Sequence, residues 1–135
     1  MLKAFGGDFD DFIKGNDGKD IVVGDFAFYN TSAAMGYPEV LRSINCDVGG
    51  ADTLLGGDGE MDYIVAGRFN DTVFADDSSS TNSANSDVVF GDHGEIMFYD
   101  DESHKLQQAI TTDVDCDSGG SDVITLGPGN DLVSW

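Results

Sequence analysis

Apolar residues along this chain come in short clusters, each set off by a polar, glycine-rich stretch. The clearest cases follow an aspartate, in the form Asp-x-U with U a large aliphatic residue. Eight anchors fit: Asp11, Asp20, Asp52, Asp62, Asp71, Asp87, Asp122 and Asp131. Anchors lie 9 residues apart from Asp11 to Asp20, from Asp62 to Asp71 and from Asp122 to Asp131, and 10 apart from Asp52 to Asp62. The fullest copy is Gly15-Asn16-Asp17-Gly18-Lys19-Asp20-Ile21-Val22-Val23. Each unit divides into a six-residue turn and a three-residue strand that sends U inward and its two neighbours outward. Two units make one coil, with a turn on each side and a short parallel strand on each face. Coils then stack roughly 4.8 Å apart, the spacing of paired strands. That geometry puts Asp52 and Asp71 in one row of turns and Asp62 in the opposite row.

The turn chemistry points to a metal. Glycines supply positive-φ backbone that lets carbonyls curl inward, and the closing Asp adds a carboxylate. A flexible ring of hard oxygens suits calcium, not zinc or copper. Composition agrees: 26 acidic residues face 6 basic ones, for a formal net charge of −20, and 22 of the acids are Asp. Solubility alone does not require that bias, whereas short carboxylates in tight turns do. The 40% of hydrophobic residues recur at the U positions, which argues against a permanently disordered acidic segment. Without calcium, the same charge density is expected to hold the chain open.

A longer regularity overlies the short one. Asp20–Asp25 (DIVVGD) matches Asp87–Asp92 (DVVFGD), Phe28-Tyr29 matches Phe98-Tyr99, and Cys46-Asp47 matches Cys116-Asp117. Two modules are expected, 1–65 and 66–135, stacked as one continuous structure. Each carries an excursion, 26–47 and 93–117. In the second, strands are expected at Glu95–Tyr99 and Gln108–Val114, with Val40–Cys46 as the first-module counterpart of the return strand. A short helix over 102–109 is the alternative to a projecting hairpin. The polar run from Asp76 to Ser86 reads as a solvated bulge.

These units closely resemble the hemolysin-type calcium-binding nonapeptide repeats of RTX proteins. The resemblance implies an all-β fold, a calcium-binding parallel β-roll (a β-solenoid), here with projecting β-hairpin excursions. It also implies calcium between turns, with Asp11, Asp20, Asp52, Asp62, Asp71, Asp87, Asp122 and Asp131 as carboxylate ligands. The best-formed turns are Gly15–Asp20 and Gly56–Asp62, whose Gly15, Gly18, Gly56 and Gly59 shape the carbonyl ring. Other copies depart from the pattern: Phe9 and Phe69 replace the fourth-position Gly, and Pro128 stiffens the last turn.

Other chemistry is excluded or weak. His93 and His104 lack the spacing of a metalloprotease helix, and no G-x-S-x-G is present, so no catalytic residue is expected. The charge of −20 argues against nucleic acid, and no segment is apolar enough to insert in a membrane. Cys46 and Cys116, judged two or three coils apart, are expected as free or intermolecular thiols. Asn30-Thr31-Ser32 makes Asn30 a candidate glycan site. No apolar leader precedes the first repeat, yet weak calcium sites need extracellular calcium, so an extracellular or cell-surface location is expected. The expected function is a non-enzymatic structural module in a long repeat array or a head-to-tail fibre. The alternatives are an accessory folding and secretion module of a secreted enzyme, or an adhesin whose excursions present Tyr29, Tyr37, Phe98 and Tyr99. For those aromatics, packing onto the roll is the simpler role.

Overall fold

The computed structural model describes residues 1–30, 39–76, 85–98, 105–112 and 119–135. All regular structure in them is β, in thirteen strands. Nine are three-residue strands: β1 (Lys3–Phe5), β2 (Phe12–Lys14), β3 (Ile21–Val23), β6 (Thr53–Leu55), β7 (Tyr63–Val65), β8 (Thr72–Phe74), β9 (Val88–Phe90), β12 (Val123–Thr125) and β13 (Leu132–Ser134). Each of the eight Asp anchors immediately precedes one of them; β1 follows Leu2 instead.

These strands build two parallel sheets in chain order. The first runs β1-β3-β7-β9-β13 and the second β2-β6-β8-β12. Parallel neighbours need a crossover between them, and here the crossover is a strand of the other sheet. The register aligns the U positions: Ala4, Val22, Ile64, Val89 and Val133 form one central column, and Ile13, Leu54, Val73 and Ile124 the other. Val22, Ile64 and Val89 from the first sheet meet Leu54 and Val73 from the second in one buried cluster. That is the inward face expected of U.

The excursions supply the other four strands: β4 (Ala27–Asn30), β5 (Glu39–Ser43), β10 (Gly94–Phe98) and β11 (Leu106–Thr111). They do not project as separate hairpins. Together they form one antiparallel sheet, β11-β10-β5-β4, which covers the outer face of the first parallel sheet. Leu41, Ile96 and Phe98 from this third sheet pack with Ile21, Val23, Tyr63, Val65, Val88 and Phe90. Phe98 meets Tyr63 edge-on at 4.7 Å between ring centroids. The cause lies in the residues flanking U. In β3, β7 and β9 both flanking residues are apolar, so all three positions are buried. Left bare they would form an outward apolar stripe, and burying each large side chain is worth about 1.5–3 kcal/mol. In the second sheet the flanking positions include Lys14, Thr53, Thr72 and Thr125; the centre is buried in β6 and β8 and half-buried in β2 and β12.

Where the helix over 102–109 was the alternative, the described part is strand β11; Tyr37, Tyr99 and most of the Asp76–Ser86 run lie outside the described residues. The cysteine expectation is overturned. Cys46 is disulfide-bonded, and among the described residues there is no free cysteine; the chain's other cysteine, Cys116, lies outside the described residues. Excursions stacked whole modules apart would keep the two cysteines out of reach of each other. Instead β5 and β11 flank the same strand, opposite Glu95 at Arg42 and Ile110, so both return strands leave one sheet at the same end.

Candidate metal sites

The anchors fall into two rows, one on each side of the paired sheets. Asp11, Asp52, Asp71 and Asp122 close the turns that lead into the second sheet. Asp20, Asp62, Asp87 and Asp131 close those leading into the first. Within each row a carboxylate holds the backbone of its neighbour. The N–H groups of Asp11, Asp52 and Asp71 donate to Oδ1 of Asp52, Asp71 and Asp122 at 2.8, 2.7 and 3.0 Å. In the other row, Leu2, Asp20, Asp62 and Asp87 donate to Asp20, Asp62, Asp87 and Asp131 at 2.5, 2.7, 2.8 and 3.0 Å.

In Asp20, Asp52, Asp62, Asp71 and Asp87 one oxygen is thereby used, and the other is not. Oδ2 of Asp11, Asp20, Asp52, Asp62, Asp71 and Asp87 is buried without a hydrogen-bond partner. These atoms turn back towards the first residue of a turn in their row. Asp20 Oδ2 lies 2.9 Å from where a Cβ on Gly15 would sit, Asp62 Oδ2 2.7 Å from that of Gly56, and Asp52 Oδ2 2.1 Å from that of Gly24. First-position glycine therefore makes room for a carboxylate; none of these three has a positive φ. Gly18 and Gly59 have the other role, at φ 107° and 141°, and stack directly, with Gly18 N–H donating to Asp58 O. Phe9 and Phe69 hold the same turn position at φ 72° and 75°. There the turn geometry overrides the usual exclusion of bulky side chains.

Buried carboxylates in rows resist ionisation. Desolvation by burial pushes Asp62 and Asp71 up to about 8, Asp52 to about 7 and Asp87 to about 6. Neighbouring carboxylates add to the rise, and each donated backbone N–H opposes it. Among the described residues no three His, Cys, Asp or Glu side chains converge on one point. A cation here would be held by one or two carboxylates, with main-chain carbonyls completing the shell. That donor set fits calcium, which takes six to eight oxygens in a flexible cage, and it does not fit zinc.

Three aspartates that the repeat reading passed over close the interrupted turns. In the uninterrupted turns the second position is Gly7, Asn16, Gly57, Gly67 or Gly127, all at positive φ. Wherever a segment is inserted, the second position is Asp: Asp25, Asp76 and Asp92. Each carboxylate reaches across the neck to the fourth position of its own turn. Asp25 Oδ1 accepts from Gly50 N–H at 3.0 Å, Asp92 Oδ1 from Gly120 N–H at 2.7 Å, and Asp76 Oδ1 from Asn85 Nδ2 at 3.1 Å. Asp25 Oδ2 also accepts from Arg68 N–H at 2.5 Å. The signal was in the sequence, as an Asp directly before each of the three long interruptions of the period.

The model of the RTX calcium-binding nonapeptide repeat matches in four copies, at residues 3–26, 48–73, 57–79 and 117–134, more than half of the chain. The chain belongs to the RTX calcium-binding repeat family. It binds Ca2+ through these repeats. The matched segments leave out most of both excursions, so the third sheet lies outside the matched RTX repeats. No curated protein and no solved structure matches the chain.

Proposed function

We propose that this RTX chain is an extracellular, non-catalytic structural module whose two parallel sheets form one calcium-dependent β-roll. The observation that carries the reading is the double row of buried, unpartnered Oδ2 atoms. The ligands on this reading are Asp11, Asp20, Asp52, Asp62, Asp71, Asp87, Asp122 and Asp131, with carbonyls of turns shaped by Gly15, Gly18, Gly56 and Gly59. Bound calcium supplies the positive charge and the demand for oxygen ligands that the rows lack. The chain's own part is to present one oxygen per Asp to the metal while the other holds the adjacent turn. Binding and folding are then one process, because the rows exist only when the turns stack.

Two further observations support the location and the mode of use. A disulfide at Cys46 persists in oxidising surroundings, where calcium is plentiful. In the parallel sheets β1 and β13 lie at opposite edges of one, and β2 and β12 at opposite edges of the other. Unpaired strand edges accept further strands, which is what a longer array or head-to-tail assembly requires. Burial of Phe98 against Tyr63 removes one contact that an adhesin built on the excursion aromatics would need.

The test is far-UV circular dichroism with sedimentation velocity during a calcium titration, with magnesium as control. A cooperative rise in β signal with calcium alone supports the roll, and a calcium-dependent increase in sedimentation coefficient supports assembly. Monomers at saturating calcium rule out self-assembly and leave the module reading intact.

A further inference from the structure

The turn between β8 and β9 departs from its row. The nine-residue period is interrupted between Asp76 and Asn85, and both residues are almost fully buried, at 5% and 3% exposure. Asn85 Nδ2 occupies Asp76 Oδ1. Asp76 Oδ2 is buried and has no partner. Asp25, the corresponding latch of the first excursion, has no such surplus, because Gly50 and Arg68 take both of its oxygens. A latch alone needs one oxygen, and a buried carboxylate oxygen without a partner is costly. Asp76 Oδ2 points along the row to the next turn, 2.5 Å from where a Cβ on Gly127 would sit. It joins Asp62 and Asp87, whose Oδ2 atoms are likewise buried and unpartnered. Asp76 lies close enough to both to disfavour their ionisation.

We propose that Asp76 is an additional calcium ligand, giving the ion held at the Asp87 turn a second carboxylate beyond the one the repeat supplies. The assignment rests on the calcium reading of the rows. It makes this interrupted turn a more highly charged site than its uninterrupted neighbours, and calcium affinity rises with the charge of the ligand set.

Isothermal titration of the full chain with calcium chloride tests it, using two variants that separate latch from ligand. Asp76→Asn keeps an oxygen for Asn85 Nδ2 and removes the carboxylate charge. Asn85→Ala breaks the latch and keeps the carboxylate. The expected result is that Asp76→Asn weakens one site by about tenfold or more while the others titrate as before, and that Asn85→Ala retains every tight site. A wild-type titration of Asp76→Asn overturns the proposal, as does loss of the same site in Asn85→Ala. If Asp76→Asn stays unfolded in calcium, Asn85→Ala decides. A folded, fully loaded Asn85→Ala supports the ligand role, and an unfolded one assigns Asp76 to the latch alone. Failure of the calcium reading itself shows separately, as a wild-type chain that takes up no calcium.

Discussion

Removing calcium at two pH values is the sharpest probe of the carboxylate rows. In the metal-free fold Asp62 and Asp71 titrate near 8, Asp52 near 7 and Asp87 near 6, against an ordinary 3.8. The folded chain therefore holds more protons than the unfolded one between about pH 4 and 8, and its stability falls as pH rises through that window. At 1.36 kcal/mol per pH unit, Asp62 and Asp71 each cost about 6 kcal/mol once ionised, Asp52 about 4 and Asp87 about 3. Solvent screening discounts such figures, leaving on the order of 10 kcal/mol for the four together. That matches the whole stability of a typical domain, roughly 5–15 kcal/mol. The metal-free chain should thus be unfolded at about pH 8.5 and regain β structure towards about pH 5. The assay is far-UV circular dichroism in chelator with a urea melt at each pH. A parallel series at about pH 8.5 in high salt screens the general repulsion of a −20 chain without protonating the rows. Recovery by salt as complete as recovery by acid, or no gain at lower pH, would refute the assignment of the penalty to buried row carboxylates.

Three other outcomes follow from contacts already described. Asp25→Ala leaves the N–H groups of Gly50 and Arg68 without their acceptor and should lower calcium-loaded stability by about 2–4 kcal/mol, read from the denaturation midpoint. Phe98→Ala opens the contact between the third sheet and Tyr63 and should cost about 3–5 kcal/mol; amide exchange should then rise in β10 and β11 before it rises in the parallel sheets. Gly24→Ala places a methyl 2.1 Å from Asp52 Oδ2 and 2.3 Å from Ala66 O, so it should remove calcium from that turn, seen as lower stoichiometry by titration, while an exposed Asp8→Ala leaves it unchanged.

Much of the architecture was legible because a nine-residue period fixes where strands start and which side chain turns inward. Asp52, Asp62 and Asp71 fell to alternating rows on that count alone. The third sheet was only half legible. Its strands Glu95–Tyr99 and Val40–Cys46 were readable to within a few residues, but their destination was not. The clue was the unbroken apolar triplets Ile21-Val22-Val23, Tyr63-Ile64-Val65 and Val88-Val89-Phe90, against mixed triplets such as Thr72-Val73-Phe74. Triplets apolar at all three positions need cover on both faces, and the excursions are the nearest cover. Missing that also led to the wrong expectation for Cys46. The latches stayed hidden because Gly24-Asp25 and Gly91-Asp92 look like ordinary repeat residues until the return of the chain to Gly50 and Gly120 is known.

The latches also separate two properties that usually travel together in stacked repeats, the regularity of the frame and the length of its loops. A turn closed by its own peptide tolerates little added length, since the register of every later strand depends on it. A turn closed by a side chain across its neck does not transmit what lies beyond the neck. Between Asp76 and Asn85 the chain has a socket where inserted sequence can grow, shrink or be exchanged while strands on either side keep their partners, whereas beyond Asp25 and Asp92 the inserted strands are themselves part of the third sheet and its core. Diversity can collect at that socket at little cost to the metal rows, so a grafted segment with closely spaced ends has a ready-made point of attachment.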